Sequence, residues 1–186
     1  MSNRKPIKTT AQEIVEYWDS RIDESELSID FAEAGERCWR CAYKSKLHRC
    51  HIIPDSLGGE DTPSNLVLLC RRCHIEAPNI MDKDFFWEWL KAQKASFYDT
   101  YWTNRGMKEY AEIYKEKIEE SMLRLNARPE ELQQFLKVQK DFVTIHFGEG
   151  RLNPSTLAGI MRSFIKHKEQ QLGIAAKLSC GSQSQA

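Results

Sequence analysis

Two cysteine pairs and a set of histidines carry the chemistry open to this chain. Cys38-Trp39-Arg40-Cys41 and Cys70-Arg71-Arg72-Cys73 are both C-x-x-C knuckles. Each turns the chain tightly enough to aim two thiolates at one ion, and two together complete a tetrahedral sulfur cage suited to structural zinc. Four thiolates close the coordination shell, so an ion held there scaffolds and does not catalyse. The gap of 28 residues between the knuckles exceeds the roughly 15–20 of a common zinc ribbon, so something is inserted. Redox pairs, an iron–sulfur cluster and merely packed thiols are the alternatives. The pairing of two knuckles in one short segment favours zinc.

The insertion reads Cys50-His51-Ile52-Ile53-Pro54-Asp55-Ser56-Leu57-Gly58-Gly59, then Asn65-Leu66-Val67-Leu68-Leu69-Cys70, then Cys73-His74. A His-Ile-x-Pro strand, a Gly-Gly loop, an Asn-Leu strand and a Cys-x-x-Cys-His helix start follow in order. This stretch resembles the HNH endonuclease family, and the flanking knuckles resemble its zinc-bearing branch. The resemblance covers about residues 37–80, under a third of the chain. It implies a ββα-metal unit, with two strands, a loop and a helix crossing them. It also implies roles: His51 as the base that activates water, Asn65 orienting the loop and His51, and His74 as a ligand of a catalytic cation.

The residue types suit those roles. Hydrolysis of a phosphodiester needs an activated water, stabilisation of phosphoryl charge and help for the leaving oxygen. Neutral histidine near pH 7 is a suitable general base. A divalent cation can bridge the phosphate and stabilise the departing alkoxide. The structural zinc would fix His74, one residue beyond a thiolate, as outer-shell support fixes other metal ligands.

One position departs from the family pattern. The residue before the base is usually Asp or His and binds the catalytic cation; here it is Cys50. A thiolate suits zinc better than magnesium, and adjacent residues on a regular strand face opposite sides. Either the strand is distorted and Cys50 reaches the cation, or Cys50 packs inward as a small apolar residue. His48 and Asp55 are the nearby substitutes. The cation therefore stays open among magnesium, manganese, nickel and zinc.

Charge places the nucleic acid. The chain has 186 residues, with 27 Lys+Arg against 27 Asp+Glu, and the zero balance argues against coating nucleic acid by bulk charge. The charges are segregated: residues 1–36 carry 4 basic and 9 acidic side chains, 37–74 carry 7 and 3, and 75–186 carry 16 and 15. Arg40, Lys44, Lys46, Arg49, Arg71 and Arg72 are candidate phosphate contacts, which position nucleic acid without reading bases. Trp39 is expected to pack under the zinc.

The elements that must position these residues follow from punctuation and periodicity. Thr10-Ala-Gln-Glu13 fits a capping box opening a helix through about Arg21. A short helix is expected near Asp30 to Ala34. His51–Pro54 and Leu66–Leu69 are strand-length apolar runs. Helix resumes after Cys70 and breaks at Ala77-Pro78-Asn79. Asp82 or Asp84 caps a helix carrying Phe85, Phe86, Trp89 and Leu90. A charged helix is expected over about Met107 to Asn126, preceded by a polar stretch at Asn104-Arg105-Gly106. Pro129 starts another ending near Gly148, and Asn153-Pro154 opens a last one to about Gly173.

The expected class is α+β: a zinc-stabilised ββα-metal unit followed by a mainly helical C-terminal region. The expected divisions are an acidic N-terminal segment (1–36), the HNH unit (37–80), a helical region (81–178) and a disordered tail (179–186). No apolar run is long enough for a transmembrane helix, and the polar start is not a secretory signal. Both favour the cytoplasm, where disulfides are uncommon. The expected activity is hydrolysis of DNA. The rivals are a non-catalytic zinc module that binds nucleic acid and an interaction factor built on the helical region. That region could supply DNA contacts, a homodimer surface or a surface for a protein partner.

Overall fold

Thr10 opens helix α1 (Ala11–Asp19) with the expected capping box: Glu13 N–H donates to Thr10 Oγ1 at 3.2 Å, and Thr10 N–H donates to Glu13 Oε2 at 2.7 Å. The helix stops two residues short of Arg21. Ile14 is buried on its inner face. Trp18 donates its indole N–H to the Leu66 carbonyl at 2.9 Å, which ties α1 to the strand that starts there. Two single 3-10 turns follow, Glu24–Glu26 and Phe31–Glu33, capped by Asp23 and Asp30. The second stands where the short helix was expected. The computed structural model describes residues 6–92, 94, 97–140 and 152–181.

Strands β1 (Leu47–His51) and β2 (Leu66–Cys70) form an antiparallel pair, with Leu47 opposite Cys70 and His51 opposite Leu66. All five residues of β2 are buried. The first strand lies earlier than the apolar run His51–Pro54 suggests. The reason is Asn65, which takes over the backbone of that run. Ile52 N–H donates to the Asn65 carbonyl at 2.8 Å, and Ile53 N–H donates to Asn65 Oδ1 at 2.9 Å. Ile52 and Ile53 are therefore locked into a turn, and β1 ends at His51. Helix α2 (Arg71–Ile75) follows β2 at once, as expected. Helix α3 (Lys83–Lys91) is capped by Asp82, whose Oδ1 accepts Phe85 N–H at 2.9 Å. Phe86 and Leu90 are its buried residues.

The chain divides into two compact units, Met1–Tyr101 and Trp102–Ala186. The first holds the elements above. The second is helical: α4 (Tyr101–Tyr114, beginning at the boundary), α5 (Ile118–Arg124), α6 (Pro129–Lys140) and α7 (Pro154–Gly181). The single helix expected over 107–126 is two helices, and the first runs straight through Asn104-Arg105-Gly106. Gly106 is not a breaker there. A Cβ on it would lie 2.6 Å from Leu157 Cβ, so its lack of a side chain lets α7 approach α4. The break comes at Lys115, whose φ of 55° leaves the helical region. Tyr110, Met122, Leu132, Met161 and Phe164 form the core of this unit, and Tyr110 Oη pairs with Ser121 Oγ at 3.0 Å inside it. Asn153 caps α7 by accepting Thr156 N–H at 2.8 Å, and the helix runs past Gly173 to Gly181. The expected helix end near Gly148 and residues 182–186 of the expected tail lie outside the described residues. The architecture is α+β, with a small two-stranded sheet in a mainly helical chain. Among the described residues, no helix is long and apolar enough to cross a membrane.

Candidate active site

The four knuckle cysteines meet. Their sulfurs lie within 4.8 Å of one another, with Cys41 Sγ and Cys70 Sγ at 3.8 Å. Sulfurs held about 2.3 Å from a central zinc sit about 3.8 Å apart at the edges of a tetrahedron, so both the donor set and its spacing suit structural zinc. Cys38, Cys41 and Cys73 are fully buried and Cys70 is nearly so. Burial pushes the Cys38 thiol well up, whereas hydrogen bonding from Cys38, Cys41 and Cys73 pulls Cys70 down. Cys70 also caps α2: Cys73 N–H donates to its sulfur at 3.5 Å. Trp39, inside the first knuckle, is fully buried and donates its indole N–H to the Ala34 carbonyl at 3.0 Å, packing as expected.

Beside this cage, His51 and His74 line one cleft of about 250 Å³, together with Cys50, Pro54 and Asp55. His51 ends β1, and His74 comes from α2, where it is exposed. The imidazole of His74 is held below its ordinary value, first by partial desolvation and then by the charge of His48 and His51. That favours the neutral, ligating form. Asn65 is buried and points away from open solvent. Its Nδ2 donates to the carbonyls of Ile53 and Glu60, both at 3.0 Å, while its Oδ1 accepts from Ile53. The loop that follows His51 is thereby stitched to the start of β2. Gly59 is needed in that loop, because a Cβ there would sit 1.7 Å from the Ile53 carbonyl oxygen and 2.8 Å from Asn65 Nδ2. Gly58 takes the left-handed φ of 86° that ends the 3-10 turn Asp55–Leu57.

Residues 36–78 match the family model described as HNH endonuclease. No curated protein and no solved structure matches the chain. The matched segment contains both knuckles, both cleft histidines and Asn65, so the HNH domain and the cage are one structural unit.

Within the HNH domain the six basic candidates separate. Arg40 is not available to a phosphate. It is 4% exposed, its Nη1 pairs with Glu76 at 2.8 Å, and its guanidinium lies 3.8 Å from the Trp89 ring centroid. It braces α2 and α3 against the first knuckle. Arg49 lines the cleft but is engaged through Nη1, which donates to the carbonyls of Ile7 and Thr9 at 3.1 and 2.9 Å. Lys44 is exposed and paired with Glu36. Lys46 and Arg71 are exposed, and Arg72 is half-buried.

The contacts of Arg49 reveal what sequence reading missed. The segment Ile7–Thr9 is a strap along the cleft, and Ile7 forms part of its wall. Asp61 holds the strap from the loop side, accepting Lys8 N–H at 2.6 Å and Thr9 N–H at 3.2 Å. Those bonds, led by the one from Lys8, keep the Asp61 carboxyl below its usual range. No local signal marks this pairing, since the partners are more than 50 residues apart.

Proposed function

We propose that the HNH domain is a metal-dependent endonuclease that hydrolyses DNA phosphodiester bonds. The observation that carries this reading is the single cleft shared by His51 and His74, with Asn65 buried behind the loop that follows His51. A divalent cation bound at His74 would neutralise phosphoryl charge and ease departure of the leaving oxygen. His51 takes the proton from the attacking water. Asn65 touches no substrate in this scheme; it is a positioning residue that fixes the turn beyond His51. The scissile phosphate enters from the open side of the cleft, with Lys46 and Arg71 as exposed cations for the flanking backbone. The products are a 5′-phosphate and a 3′-hydroxyl.

A plasmid-nicking assay across magnesium, manganese, nickel and zinc tests this reading, with His51→Ala alongside. The wild type should nick in at least one metal, and the variant should lose that activity. Nicking retained in His51→Ala would remove His51 from the mechanism. No nicking in any metal, with salt-sensitive DNA binding, would leave a binding module in place of an enzyme.

A further inference from the structure

A nuclease cleft needs more than one protein ligand for its cation, and Cys50, where the family supplies that ligand, is badly placed to be one. It is 2% exposed, sits opposite Val67 in the ladder, and turns its thiol toward the His51 carbonyl at 3.6 Å. The residue two places earlier does meet His74. Residues i and i+2 share a strand face, so His48 and Cys50 both look toward α2. The ring of His48 stands 5.9 Å from that of His74, centroid to centroid, with the planes tilted by 51°. One cation about 2.1 Å from a nitrogen of each ring spans such a gap. His48 is half-buried and His74 exposed, so the space beside the pair is open to entering ions.

We propose that His48 and His74 together hold the cation, beside the cleft that His74 lines, and that Cys50 is an apolar part of the cleft wall and not a ligand. The proposal rests on the nuclease reading for the cation's role but not for its binding. Its chemical consequence is selectivity. Two imidazoles are borderline ligands that suit manganese, cobalt, nickel and zinc, whereas magnesium demands oxygen donors. Two protein ligands also leave the remaining coordination positions to water and phosphate oxygens, as a catalytic site requires.

The test uses the full chain with its cage loaded with zinc, titrated with cobalt(II) or nickel(II) alone. Calorimetry gives the affinity, and absorption of the cobalt form reports whether sulfur is bound. The wild type should bind one equivalent beyond the cage zinc, without a thiolate-to-cobalt band. His48→Ala and His48→Gln should each weaken binding at least tenfold with the zinc content unchanged, and Cys50→Ala should change it less than twofold. Unaltered affinity in both His48 variants overturns the proposal. So does a thiolate band that Cys50→Ala abolishes, or a wild type that binds no ion. Failure of the nuclease reading looks different: the cation binds through His48 and His74, but plasmid DNA stays intact in every metal.

Discussion

Cys73 and His74 are neighbours in sequence and opposites in environment. The cysteine belongs to a sealed cage whose four sulfurs satisfy one another's geometry and meet almost no water. The histidine faces an open cleft and shares it with His51. Both depend on α2, which is only five residues long and would not persist alone in water. Its first turn is capped by a cage sulfur, so the cage is what allows so short a helix to carry His74. The contrast teaches a division of labour. Burial and saturation hold the fold, and the adjacent unsaturated side chains are left free for chemistry.

The strongest way to break the comparison is to open the cage. Structural zinc in small domains contributes an apparent binding free energy of about 10–16 kcal/mol, which matches or exceeds the whole stability of a typical domain, about 5–15 kcal/mol. Cys73→Ser, or a chelator strong enough to strip the site, should therefore abolish the cooperative unfolding transition of the Met1–Tyr101 unit and all nicking with it. Circular dichroism beside a zinc assay decides the matter. A metal-free chain that keeps its transition would show that packing alone holds α2.

A cleft residue should behave in the reverse way. Removing a general base costs about 10²- to 10⁴-fold in rate, and a half-exposed strand-end side chain contributes little to stability, within about 0.5 kcal/mol. His51→Ala should thus lose nearly all nicking while melting within about 2 °C of the wild type. A variant that melts much earlier would place His51 with the fold rather than with the chemistry.

Asn65 sits between the two behaviours. Asn65→Ala removes the partner of Ile53 N–H and of the carbonyls of half-buried Ile53 and exposed Glu60, three bonds worth about 0.5–1.5 kcal/mol each where water can replace them. Stability and nicking should fall together, because the turn that holds His51 loosens. Denaturant unfolding and initial nicking rates, measured on one preparation, would expose any separation of the two.

Much of this contrast is legible in sequence, and the reasons are local. The knuckles, the capping box at Thr10 and the cap at Asp82 are short-range patterns whose chemistry is complete within a few residues. The HNH pattern brings His51, Asn65 and His74 to attention together. What escapes is set by distant partners. β1 is a run of Leu, His, Arg, Cys and His that looks like a loop until β2 covers it. Arg40 resembles a phosphate contact because it lies in the basic segment that holds the candidate site, yet Glu76 and Trp89 bury it. Asn104-Arg105-Gly106 reads as a polar stretch ahead of a helix, but the absent side chain of Gly106 makes room for Leu157. The strap at Ile7–Thr9 is invisible for the same reason.

That strap yields the smallest effect and the finest distinction. It belongs to neither the cage nor the catalytic groups, yet it walls the cleft through Ile7. Asp61 is exposed to solvent, so its hold is weak, and Asp61→Ala should move the melting temperature by about 2 °C or less. The sign of its pH dependence is fixed. The carboxyl is lowered in the folded chain from an ordinary value of 3.8, chiefly by the Lys8 backbone N–H. Its contribution is therefore fully present above 3.8 and is lost as the pH falls through the lower folded-state value. The amide resonances of Lys8 and Thr9 should titrate with a midpoint below 3.8 and lose that titration in Asp61→Ala. A midpoint at or above 3.8 would mean that the strap is held by Arg49 alone, and that the wall it gives the cleft does not depend on the loop.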